Sequence, residues 1–169
     1  MKPITDLQQL ASDEELKEDE NFHFREFLAK HDDEIIDAKV FKLNEIIAPQ
    51  INCTECGNCC KTLMVNITEN ESVDLAVFLK IQIQDLKEKY IETSLQGNMI
   101  LNKIPCHFLS GTVCSIYENR FTECKEFPRL HLPKFRSRLF ATFMHYGRCP
   151  IIYNVIEELK KQTGFIEMS

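Results

Sequence analysis

Residues 52–60 read NCTECGNCC, which places Cys53, Cys56, Cys59 and Cys60 within a single short stretch. Four more cysteines, Cys106, Cys114, Cys124 and Cys149, are dispersed through the rest of the chain. Two residues between cysteines let a turn bring both sulfurs to one ion, and thiolates are soft ligands suited to Zn²⁺ or to iron–sulfur clusters. Four thiols satisfy one such centre, so the eight in this chain would satisfy two. An isolated cysteine such as Cys106 reads equally well as a small buried apolar residue. The crowding at 53–60 has no such simple explanation.

The spacing also bears on which metal. Cys-Thr-Glu-Cys-Gly looks like half of a zinc knuckle, but a zinc ribbon needs a second C-x2-C and none occurs outside the overlapping run. Cys53, Cys56 and Cys59 form C-x2-C-x2-C, and Cys149-Pro150 adds a remote Cys-Pro. These are elements of the bacterial ferredoxin run, although its fourth cysteine is close in sequence. The pattern favours an iron–sulfur cluster over zinc. The C-x3-C-x2-C of radical chemistry is absent. On an extended backbone, neighbouring side chains project to opposite sides. The doublet therefore predicts different centres for Cys59 and Cys60: Cys53, Cys56 and Cys59 with Cys149, and Cys60 with Cys106, Cys114 and Cys124. His107, His131 and His145 are weaker candidates for ligation or proton transfer, because the thiols already suffice.

A chain of 169 residues can bury an ordinary core without staples, so its thiols need a reason other than stability. No apolar run is long enough to cross a membrane. The N-terminal stretch lacks the apolar region of a secretory signal, which points to a reducing cytoplasm and away from a disulfide framework. The net charge of −6 hides an asymmetry. Residues 12–37 carry eleven acids against Lys17, Arg25 and Lys30, whereas Arg120, Lys125, Arg129, Lys134, Arg136, Arg138 and Arg148 lie in a basic segment near the end. That segment could screen the negative charge of a metal–thiolate centre. An acidic protein with pI near 5.4 is a poor nucleic-acid partner.

The elements that must carry these residues are mostly helical. Ser12 to Ala48 reads as helix in two pieces broken near HDDE, the second capped by Asp32 or Asp33 and ended by Pro49. Ile36, Val40, Leu43 and Ile47 form its apolar stripe. Thr68 and Glu71 make a capping box for a helix to about Lys80, and a short helix follows with Ile83, Leu86 and Tyr90 on one face. NMILN and CHFLSGTVCSIY read as strands. A three-residue hairpin loop over Ser110–Thr112 would pair Leu109 with Val113 and set Cys106 and Cys114 on one face. NRFTECKEF supplies a helical turn or two before Pro128, and a final amphipathic helix follows Pro150. The expectation is one domain, mainly α with a small β-hairpin and stapled by metal. It comprises N-terminal helices over 1–50, a cysteine-cluster core over 51–150 and a C-terminal helix over 151–169.

CTECGNCCK, PCHFL, CSIYENR, CKEFP and CP, taken in order, resemble the YkgJ-type cysteine-cluster family, a zinc- or iron-chelating CxxCxxCC domain. The resemblance spans about Ile51 to Pro150 and implies that all eight cysteines are metal ligands. A larger relative, the bacterial flagellin lysine N-methylase, adds protein modification as a further expectation, but no motif of that activity stands out in this chain. Tyr117 and Arg120 match the family's pattern and read as a structural tyrosine and a screening or surface arginine. The sequence departs from that pattern at Phe121 and His107, where the family favours proline, and at Lys125, where it favours arginine. The resulting expectation is a metal-binding protein, with iron–sulfur electron transfer alongside a redox partner as one use. The alternative is a zinc-stabilised module that binds a protein partner.

Overall fold

The computed structural model describes residues 2–166, so the last three residues of the expected C-terminal segment lie outside it. The described chain is mainly α, with ten α-helices and two small antiparallel sheets. It divides into two compact units, one made of the chain up to Asn52 and from Pro128 onward, the other of Cys53–Phe127.

In the first unit, the Asp6 side chain accepts from Gln8 N at 2.8 Å and Gln9 N at 3.2 Å, capping helix α1 (Leu7–Leu16). The helical region thus begins earlier than Ser12 and breaks at Lys17, whose φ of −109° and ψ of 21° leave the helical range. Glu18, Asp19 and Glu20 then suit the positive end of a new helix, α2 (Glu18–Ala29). Three helices stand where two pieces were expected. Asp32 caps the third, α3 (Asp33–Ile47), by accepting from Glu34 N at 2.8 Å. Its stripe of Ile36, Val40, Leu43 and Ile47 is buried as the periodicity requires, and the helix stops just before Pro49.

The second unit opens with two short helices, α4 (Cys53–Cys56) and α5 (Asn58–Thr62), followed by strand β1 (Asn66–Ile67). Next come α6 (Glu69–Leu79), with both hydrogen bonds of the Thr68–Glu71 capping box, and α7 (Ile83–Tyr90). Strands β2 (Ile91–Thr93) and β3 (Met99–Leu101) join β1 in a sheet of order β1-β3-β2, with Ile67 opposite Met99 and Ile91 opposite Leu101. Of these three short strands only β3 is read from the sequence, because two or three residues carry too little alternation to mark β1 and β2. Leu75, Leu86, Leu101, Phe108, Ile116 and Phe121 form the core here, and Cys106, Cys114 and Cys124 pack against its edge.

The hairpin of β4 (Leu109–Ser110) and β5 (Val113–Cys114) corrects the expected register. Leu109 pairs with Cys114 and Ser110 with Val113, leaving a two-residue turn. Of its two residues only Gly111 has a positive φ, 64°, the requirement of a type II′ turn, whose twist matches that of the flanking strands. A short helix, α8 (Thr122–Glu126), ends this unit before Pro128.

On its return to the first unit the chain forms α9 (Leu139–Phe143) and α10 (Pro150–Gln162), the latter with proline in its first turn. Ile151, Ile152, Val155, Ile156 and Leu159 of α10 are buried. Much of the charge asymmetry is neutralised within this unit. Asp37 accepts from Lys134 N at 2.6 Å and Phe135 N at 2.8 Å, and Asp33 pairs with Arg136 at 3.2 Å. Lys160, only 5% exposed, pairs with Glu157 at 2.8 Å and Glu20 at 3.0 Å. Glu157 also meets the Lys17 ammonium and accepts from the Tyr146 hydroxyl. No helix among the described residues is long and apolar enough to cross a membrane.

Candidate metal centre

Seven of the eight cysteines lie in the second unit, six on elements too short to hold themselves in place and Cys106 in the loop before β4. Cys53 and Cys56 occupy α4, and the turn closes through a bond from Gly57 N to Cys53 O at 2.9 Å. Gly57 has φ 58°, and a Cβ there would meet Thr112 O at 2.8 Å and Thr112 Cα at 2.9 Å. Glycine therefore serves twice: it allows the left-handed turn, and it lets the hairpin tip rest against the cysteine loop.

Cys59 and Cys60 lie on α5, so the extended backbone expected at the doublet is not what forms. On a helix the two side chains do not oppose each other, and their Sγ atoms stand 4.0 Å apart. The Cys106 N–H donates to Cys60 O at 2.8 Å, which fixes the segment before the hairpin against the doublet. Cys106 precedes β4 and opens a turn in which Leu109 N donates to Cys106 O at 3.1 Å. Strand alternation therefore does not govern its direction. Cys106 and Cys114 still come within reach of each other's charge, although the hairpin loop is shorter than expected.

Cys124 depends on α8, and two carboxylates pin that helix. Glu71 Oε1 accepts from Thr122 N at 2.6 Å while its Oε2 accepts from Thr68 N at 2.9 Å, so one side chain joins the starts of α6 and α8. Glu123 accepts from Asn66 N at 2.8 Å and Asn66 Nδ2 at 3.0 Å, tying α8 to β1. The capping box disclosed the local half of Glu71's role. Its reach to Thr122, 51 residues away, has no signature in the sequence. Cys149 belongs to the first unit, where it is buried at the N-cap of α10 and its N–H donates to His145 O at 2.9 Å. His131 and His145 are in that unit too. The His107 ring bonds Asn102 Oδ1 at 2.6 Å and meets the Tyr90 ring edge-on.

None of the eight cysteines is paired in a disulfide. The hydrogen bond with Cys59 and then burial push the Cys60 thiol far above the ordinary range. Burial first, then the charges at Cys60, Cys106 and Cys114, push Cys124 up to about 12. Burial likewise raises Cys53, Cys106 and Cys114, and Cys60 adds to the rise at each. Cys60 is the hub of this network. The Arg120 guanidinium opposes the rise at Cys53, Cys60, Cys114 and Cys124. Thiols raised in this way hold their protons at neutral pH until a cation displaces them.

Among the described residues, no three His, Cys, Asp or Glu side chains converge into a ready-made ion cage. Three features nonetheless fit a thiolate-bound metal. The donors are soft sulfurs drawn from separate segments and linked by charge. The cysteine loop and the hairpin meet where a Cβ would keep them apart. Arg120 Nε is sealed from solvent and meets no hydrogen-bond acceptor among the described residues.

The family model described as "CxxCxxCC: Putative zinc- or iron-chelating domain" matches residues 52–150. No curated protein and no solved structure matches the chain.

Proposed function

Because this chain belongs to the CxxCxxCC family of zinc- or iron-chelating domains, we propose that it is a chelator whose eight cysteines are the ligand set, carrying an iron–sulfur centre that exchanges electrons with a redox partner in the cytoplasm. The observation that carries this reading is the gathering of cysteine-bearing segments about Cys60, whose carbonyl accepts from Cys106 N at 2.8 Å, whose Sγ lies 4.0 Å from that of Cys59, and whose charge raises the thiols of Cys53, Cys106, Cys114 and Cys124. Cys149, in the first unit, is the eighth thiol.

An iron–sulfur group supplies one-electron chemistry at a potential set by hydrogen bonds, net charge and exposure. The protein's own residues position the sulfurs. Gly57 admits the hairpin, Cys60 O holds the Cys106 segment, and Glu71 and Glu123 fix the helix of Cys124. A zinc reading has one observation of its own. The C-x2-C turn closes on Gly57 in the left-handed conformation, as the sequence of half a zinc knuckle requires. In that case the metal is structural and the domain serves to bind a protein partner.

Anaerobic purification followed by metal analysis, acid-labile sulfide and a visible spectrum separates the two. Iron with stoichiometric sulfide and a brown colour that bleaches on reduction supports the leading reading. A colourless protein carrying zinc and no sulfide overturns it in favour of the structural one.

A further inference from the structure

A second cluster of the unit Cys53–Phe127 lies outside the thiols, on the approach to the hairpin. Asn102 is its joint. Its N–H donates to Tyr90 O at 3.0 Å and its Nδ2 to Lys89 O at 3.2 Å, while its Oδ1 accepts from the His107 ring at 2.6 Å, so one residue ties the end of α7 to the residue after Cys106. The Tyr90 ring is met from two directions: His107 stands edge-on at 5.0 Å, and the Lys89 ammonium lies 5.1 Å from the ring centroid. Burial first, then the charges of Lys103 and Lys89, lower the pKa of His107, so both ammoniums reach that ring. Neither is neutralised. Lys87 is taken by Glu69, but Lys89 and Lys103 have no ion-pair partner among the described residues. Both lysines are exposed, and Ile104, next to Lys103, is 43% exposed and adds an apolar contact point. The segment then runs directly into Cys106, whose N–H donates to Cys60 O.

We propose that Lys89 and Lys103, ordered about Asn102, Tyr90 and His107 and flanked by Ile104, form the docking face for the carboxylates of an acidic protein partner, which is thereby seated beside Cys106. The inference rests on the reading of a chain that works with a protein partner, and adds where that partner binds and what its surface carries. A net charge of −6 repels an acidic partner as a whole. Two uncompensated cations on one face therefore decide the orientation in which it arrives, because a positive patch meets a negative one. Exposed charges of this kind govern encounter and register more than affinity. Holding Lys89 against Tyr90 in advance reduces the ordering entropy lost on docking. A nucleic acid is the poorer fit, since phosphate binding draws on many cations and this face presents two.

A fluorescein-labelled polyglutamate peptide is the probe, added to the full-length protein with its metal, and anisotropy at low ionic strength reads the affinity. The double variant Lys89→Gln/Lys103→Gln is expected to weaken binding about three- to tenfold, the range open to two exposed charge pairs. Lys30→Gln/Lys42→Gln, which removes the same charge from exposed positions of the first unit, is expected to bind like wild type. Asn102→Ala keeps both charges but releases the cluster, and is expected to fall between the two. If that variant does not fold, the lysine pair decides, because both side chains lie on the surface. Equal losses in the two double variants, or no binding by wild type, overturn the inference. So does an oligonucleotide of equal charge that binds through the same lysines more tightly than the peptide. The electron-transfer reading fails separately: a colourless zinc protein that still binds the peptide through Lys89 and Lys103 retires it and keeps the docking face, whereas a brown protein whose binding ignores both lysines does the reverse.

Discussion

The approach of the hairpin to the cysteine loop makes Gly57→Ala the most informative single substitution. Two costs add there. The residue sits at φ 58°, where an L side chain costs about 1–2 kcal/mol. Its new Cβ would also lie 2.8 Å from Thr112 O and 2.9 Å from Thr112 Cα, both backbone atoms that cannot rotate aside. The turn of Gly111 and Thr112 must then withdraw, and overpacking of this kind costs about 1–3 kcal/mol. Gly97 supplies the control. Its φ of 83° imposes the backbone penalty, but nothing lies within 4 Å of the place a methyl group would take there. Urea unfolding of the metal-free proteins should therefore show Gly57→Ala less stable than Gly97→Ala by about 2 kcal/mol, the overpacking cost alone. Because the same withdrawal carries Cys114 away from the loop, metal affinity should also fall at least tenfold in Gly57→Ala, equivalent to about 1.4 kcal/mol or more, and stay near wild type in Gly97→Ala. Equal stability and equal affinity in the two variants would refute the claim that close approach at Gly57 assembles the thiols.

Glu71→Gln should destabilise the metal-free protein at neutral pH, because burial opposes the Glu71 charge but the bonds from Thr122 and Thr68 outweigh it and hold the carboxyl at about 2, below its ordinary 4.5. That stability is complete above about pH 4.5 and is lost as pH falls towards 2; discounted for exposure, it amounts to about 1 kcal/mol. The difference between wild type and Glu71→Gln in urea should shrink as the pH is lowered, and a constant difference would count against the linkage. Lys160→Ala should cost about 3 kcal/mol by stranding Glu157 and Glu20 beside an apolar core, and Lys160→Met less, as measured by thermal or urea unfolding. Cys60→Ser should reduce metal content per chain more than Cys53→Ser, because the Cys60 charge reaches Cys53, Cys106, Cys114 and Cys124; equal losses on metal analysis would remove its place as hub.

What the sequence discloses here is what a few neighbouring residues decide. The stripe of Ile36, Val40, Leu43 and Ile47, the Thr68–Glu71 capping box and the helix opened by Pro150 all follow from spacings of three or four residues, and all three form. The hairpin loop turns on a single residue of register. Gly111 at the first turn position suits the two-residue loop, and the assumption that Cys106 must lie on the strand obscures this. The doublet misleads for a related reason, since nothing local to Cys59 and Cys60 distinguishes a strand from a single turn of helix. Contacts such as Glu71 with Thr122, Glu123 with Asn66 and Gly57 with Thr112 join residues more than fifty positions apart. No periodicity or motif encodes them, because each depends on the tertiary approach of two finished elements.

The second unit shows why the thiols and the fold cannot be considered separately. The elements that carry Cys53, Cys56, Cys59, Cys60, Cys114 and Cys124 run from two to five residues, below the length at which a helix or hairpin persists by itself. Their stability must come from one another. The contacts that join them are the Gly57–Thr112 approach, the Cys106–Cys60 backbone bond and the two carboxylates on α8. Each brings a cysteine-bearing segment towards the same charge network. Within that network the thiols raise one another's proton affinity, so converting them to thiolates without a cation opposes the very packing that gathers them. A metal reverses the sign of that interaction, replacing mutual repulsion with shared attraction, and any free energy of binding becomes free energy of folding for the unit. The crowding of cysteines at 53–60 is thus one end of a set of short elements whose packing in the metal-free protein is reinforced when a metal binds.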